Sequence, residues 1–95
     1  MLYRICTEDK NRRAVTDILD QQFDGYTLYT VEGRWKGKAE DALVIEIDNI
    51  DISDEHMAIK IHTVVKAIKK ANNQEAVLLQ KVSAVSLLVY DRSLV

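Results

Sequence analysis

The chain has 95 residues, 47% hydrophobic and 29% charged, with a formal net charge of −2 and one cysteine. That composition suits one soluble globular domain spanning 1–95 and lacks the basic excess of a general nucleic-acid binder. It also lacks a run approaching the roughly 20 apolar residues of a membrane helix. A lone Cys6 excludes an internal disulfide, and Arg4 interrupts the apolar N-terminus where a signal peptide would continue, so a cytoplasmic location is expected.

Leu2–Thr7 reads as a first strand, with Tyr3, Ile5 and Thr7 alternating with Leu2, Arg4 and Cys6. Asp9 or Asn11 is placed to cap the helix that follows, because a short side-chain oxygen accepts from the first-turn amides. Ala14, Val15, Ile18, Leu19 and Phe23 form its apolar stripe, and Gly25 suits a left-handed position after its end. Tyr26–Val31 reads as a second strand and Leu43–Asp48 as a third, the latter with Leu43, Ile45 and Ile47 on one face. The polar stretch Glu32–Asp41 between them is either a hairpin loop or an extension of both strands. Ser53 is expected to cap a second helix with the stripe Met57, Ile61, Val64, Val65 and Ile68. Asn72-Asn73 marks its stop, and Ala76–Val82 is the fourth strand. Residues 83–90 are apolar enough to be strand-like. They either continue the fourth strand or form a fifth, packed internally or against another subunit.

The order β-α-β-β-α-β predicts an α+β, ferredoxin-like two-layer sandwich with that added C-terminal strand or extension. Such a fold hosts many functions. The segment Gly33-Arg34-Trp35-Lys36-Gly37 is more specific. It resembles the Gly-Arg-x-Lys-Gly segment that opens the mobile loop of PII signal-transduction proteins, and the aromatic-Trp-Lys-Gly segment of CutA proteins. The resemblance implies a compact homotrimer. It departs from the PII pattern in three places, the first being that the loop before the third strand, Glu32–Asp41, is short where PII proteins have a long one. Trp35 stands where PII proteins carry a Gln that serves metal–nucleotide and 2-oxoglutarate binding. Asn72-Asn73-Gln74-Glu75 replaces a Gly-rich phosphate loop.

Within Glu32–Asp41, Gly33 and Gly37 offer backbone freedom, Arg34 and Lys36 offer charge for phosphate or carboxylate, and Trp35 offers a stacking surface. The alternative is that Trp35 packs at an interface and the cations are solvated. Asn72, Asn73, Gln74 and Glu75 form a polar cluster whose Asn and Gln side chains can donate and accept for a polar ligand, or that simply ends the helix. His56 and His62 point in different directions on one helix and do not pair for a metal. Cys6 reads as a small buried side chain. No Ser-His-Asp, Cys-His or phosphate-loop arrangement is visible. The expectation is therefore a non-enzymatic, PII-like homotrimer. It would bind a small anionic or nucleotide-type ligand in an intersubunit cleft, between Gly33, Arg34, Trp35, Lys36 and Gly37 on one side and Asn73 and Gln74 on the other. A regulated protein partner would read the ordered loop; no nucleic acid, membrane or named cofactor is implied. The alternatives are a CutA-like metal-responsive or scaffolding trimer, and a module that lends its strand 83–90 to a partner's sheet.

Overall fold

The computed structural model describes residues 1–48 and 53–83. The elements follow in the order β1 Leu2–Glu8, α1 Arg12–Gln22, β2 Thr27–Trp35, β3 Lys38–Asp48, α2 Asp54–Ala71 and β4 Leu78–Val82. The sheet order is β2-β3-β1-β4, and every neighbouring pair is antiparallel. β1 and β2 are thus parallel across β3, and β3 and β4 are parallel across β1. Parallel strands need a long crossover, and α1 and α2 supply the two. This is the ferredoxin-like α+β arrangement.

Alternation along β1 buries Tyr3, Ile5 and Thr7 and turns Leu2, Arg4, Cys6 and Glu8 to the other face. Tyr3 and Ile5 join Ile45 and Ile47 of β3, Val15, Leu19 and Phe23 of the first helical segment, and Met57, Ile61, Val64 and Ile68 of α2 in one core. A fully buried side chain of this kind contributes about 1.5–3 kcal/mol relative to exposure. β2 and β4 contain no fully buried residue and add only the partly buried Leu28 and Leu79 to this core.

Both predicted helical stripes are the buried ones. Local details differ. Asn11 occupies the N-cap of α1 but its side chain caps nothing. Asp9 is held instead by Arg12, whose Nη2 lies 2.5 Å from its Oδ2. Gly25 has no positive φ, because α1 ends through extended Phe23, whose amide still bonds to Leu19 O at 2.9 Å. Ser53 does cap α2, its hydroxyl accepting from the His56 amide. β4 begins at Leu78 rather than Ala76. Ser83 is exposed and outside β4; the rest of the 83–90 segment lies outside the described residues.

Candidate functional site

Of the two readings of Glu32–Asp41, the structure takes strand extension. The β2–β3 ladder continues to Trp35↔Lys38 and leaves Lys36-Gly37 as a two-residue turn. Both turn residues have positive φ, 50° and 79°, as a primed hairpin turn requires. Gly37 meets that demand without strain, whereas Lys36 holds a left-handed conformation that disfavours an ordinary side chain. Gly33 is an ordinary strand residue. A Cβ there would come no closer than 3.6 Å to Glu40 O, so its glycine is not needed for space.

The hairpin passes the end of β1 by four residue pairs, from Glu32↔Asp41 to Trp35↔Lys38. At strand rise that is about 13 Å. Its charges are sorted along it: Glu32, Glu40 and Asp41 at the base, Arg34, Lys36 and Lys38 at the tip. Arg34 braces the turn, donating to Glu32 Oε2 and to Gly37 O, both at 3.2 Å. Trp35 is 66% exposed, and Lys36 Nζ stands 5.8 Å from the centroid of its indole. The tip therefore presents an aromatic face and cationic groups to solvent with little apolar support.

The second half of the predicted site is organised by Asn72, a member of the predicted polar cluster that turns inward. Asn72 caps the C-terminus of α2 and is 3% exposed. Its Nδ2 donates to Thr7 Oγ1 and Glu8 O at 3.0 Å and to Gln74 Oε1 at 3.1 Å. The Thr7 hydroxyl also donates to Gln74 Oε1, and Gln74 Nε2 donates to Ala76 O at 3.3 Å. Gln74 is thus consumed in holding the loop to β1. Asn73, with φ 52°, is exposed, as is Glu75. Asn adopts that conformation more readily than other non-glycine residues.

Hairpin and loop share one end of the sheet. Asp9 N bonds to Asp41 O at 3.2 Å at the hairpin base, and Cys6↔Leu78 opens β4 beside the 72–75 loop. Among the described residues, however, no hydrogen bond joins the Arg34–Gly37 tip to Asn73 or Gln74. Cys6 and His62 are likewise separated, Cys6 lying on the sheet face opposite the helices.

The opposite end of the sheet holds a cavity of about 570 Å³, lined among others by Phe23, Asp24, Tyr26, Glu46, Asp48 and Lys60. Lys60 Nζ donates to Gln22 O at 3.2 Å. The Tyr26 hydroxyl donates to Asp20 Oδ1 at 2.6 Å. Burial, that hydrogen bond and the nearby charges of Asp20 and Asp17 push the Tyr26 phenol up to about 12. The six lining residues named come from β3, α2 and the segment joining α1 to β2, and no local motif announces them.

No protein-family model and no curated protein matches the chain. Solved structures do. A phage SAM lyase in its apo state is 18% identical over 95% of this chain and 91% of that one, with a TM-score of 0.67. The phage enzyme in complex with S-methyl-5′-thioadenosine is 19% identical over 82% and 76%, with a TM-score of 0.65. CPII from Thiomonas intermedia, a nitrogen regulatory PII-like protein bound to ADP, AMP and bicarbonate, is 16% identical over 92% and 93%, with a TM-score of 0.57. At these identities the likeness is one of fold. It supports a PII-like relationship at that level, and it corrects the expectation of a non-enzymatic protein, because the same fold neighbourhood includes an enzyme. That expectation rested on the absence of a local catalytic motif, and a site assembled between elements or subunits leaves no such motif. Among the described residues no helix is long and apolar enough to cross a membrane.

Proposed function

We propose that the protein is a homo-oligomeric, PII-like regulatory protein that binds an adenosine-containing small molecule in a cleft between copies. Trp35 would stack on the base, Arg34 and Lys36 would meet phosphate or another anionic group, and the neighbouring copy's 72–75 loop, with Asn73 exposed, would form the facing wall. The observation that carries this reading is the hairpin tip: an exposed indole and cationic side chains on a projecting ladder that does not close on its own chain. Such a tip is built to meet a surface other than its own. Two fold neighbours hold adenosine-type molecules, S-methyl-5′-thioadenosine in one and ADP and AMP in the other. Closure of the hairpin over a ligand would give a protein partner an ordered surface to read.

Trp35 is the only tryptophan, so its fluorescence reports on the tip alone. Titration with AMP, ADP and S-methyl-5′-thioadenosine should give a saturable change in Trp35 emission. That change should weaken in Arg34→Ala and Lys36→Ala, with an oligomer measured by light scattering throughout. A monomer, or emission indifferent to all three compounds, would remove the reading.

A second reading, chemistry on S-adenosylmethionine, is favoured by the two lyase structures that superpose over most of the chain. Incubation with S-adenosylmethionine and chromatography for S-methyl-5′-thioadenosine tests it directly. Accumulation above the spontaneous rate would support catalysis, and a rate equal to the buffer control would leave binding alone.

A further inference from the structure

A smaller cleft, about 210 Å³, lies on the helix side of the sheet between α2 and the β1–β4 pair. Its lining is Tyr3, Ala58, Ile61, His62, Leu79 and Lys81. It is distinct from the hairpin end, since Tyr3 pairs with Lys81 towards the start of β1 and the 72–75 loop sits beyond its finish. Three features make it more than a packing gap. Tyr3 is 3% exposed, and among the described residues its buried hydroxyl has no hydrogen-bond partner. A phenol of this kind normally finds one. Lys81 Nζ stands 5.8 Å from the centroid of the same ring, within cation–π range, and His62 borders the cleft as a further polar group. The rest of the wall, Ala58, Ile61 and Leu79, is apolar.

We propose that this cleft binds a small monocarboxylate with a short apolar tail. The carboxylate would accept from the Tyr3 hydroxyl and lie against the Lys81 ammonium, and the tail would cover Ala58, Ile61 and Leu79. The lining selects this class over a strongly hydrated dianion such as phosphate. One formal cation balances one negative charge, and half the lining offers no hydrogen bond to replace lost water. The volume suits a molecule of a few carbons, for it equals about seven waters at roughly 30 Å³ each. The ligand supplies the acceptor that the described residues do not.

The test is a titration of the full chain with sodium butyrate at constant ionic strength, followed by amide NMR, with sodium chloride and inorganic phosphate as parallel arms. Saturable shifts at Ala58, Ile61, His62, Leu79 and Lys81 are expected with butyrate alone. Tyr3→Phe removes only the hydroxyl, and Lys81→Gln only the charge, so both should fold. Each should weaken the binding by about tenfold, the loss of one charge-assisted hydrogen bond or contact. Linear, unsaturated shifts, an equal response to chloride or phosphate, or unchanged affinity in both variants would overturn the proposal. So would Tyr3→Phe raising the melting temperature while butyrate stabilises it as much as the parent chain, since the hydroxyl would then be an unpaired group and nothing more.

Discussion

Asn72 and Thr7 lie 65 residues apart in sequence and share a hydrogen bond of 3.0 Å in the interior. They are 3% and 4% exposed. The bond ties the last turn of α2 to the end of β1, and Gln74 closes the same network. The loop that carries Asn73 is therefore set by the core.

Asn72→Ala should destabilise the fold by about 2–3 kcal/mol, because Thr7 Oγ1, Glu8 O and Gln74 Oε1 lose a buried donor together. Urea denaturation checks this. The midpoint should fall with an unchanged slope, the mark of lost stability without a changed unfolded state. A loss near zero would show that water replaces the amide and that the network is not what fixes the loop.

The turn at the hairpin tip yields a prediction of opposite sign. Lys36 sits at φ 50° before Gly37 at 79°, and Asn-Gly is the favoured pair for such a turn. Lys36→Asn should stabilise the chain by about 0.5–1 kcal/mol by relieving left-handed strain. It should also weaken binding of AMP or ADP by removing a cation from the tip. Strain retained at a binding loop has this signature, stability gained and affinity lost. Thermal melts and the Trp35 titration on one preparation measure both halves.

The elements legible in the sequence were those with a one-sided environment. The stripes Val15-Leu19-Phe23 and Met57-Ile61-Val64-Ile68 and the alternation of β1 are direct images of the core they face. The Glu32–Asp41 ladder left its conformation open because it projects beyond the core, and residues exposed on both sides need no alternation. Asp9 misled as a cap because Arg12, one turn on, competes for its carboxylate. The role of Asn72 and Gln74 was hidden for a different reason. Their partner Thr7 is adjacent only after the sheet has formed, and nothing near either in sequence records the contact.

Trp35 separates binding from folding. Being 66% exposed, its replacement by Ala should alter stability by no more than about 0.5 kcal/mol. If the indole stacks on an adenine base, the same change should weaken AMP affinity by about tenfold or more, given stacking worth roughly 1–3 kcal/mol per base. Calorimetric titration is the measurement, since the variant has no fluorophore at the tip. An unfolded or dissociated Trp35→Ala protein would instead assign the indole to a subunit interface.

Tyr26 sets an alkaline limit on stability whose sign can be worked out. Its phenol is pushed from the ordinary 10.0 up to about 12, first by burial and then by the hydrogen bond to Asp20. The folded state therefore keeps a proton that the unfolded state releases. Below pH 10 both states are protonated and the stabilisation is fully present. As pH rises from 10 towards 12 the unfolded chain loses its proton first, so stability falls through that window. Tyr26→Phe has no proton to lose and should show a flatter melting temperature over the same range, with one fewer phenolate in the ultraviolet titration. Asp20→Asn should move the phenol back towards 10, because it removes the negative charge that opposes phenolate formation. Equal slopes in parent and Tyr26→Phe would place the alkaline sensitivity on another group.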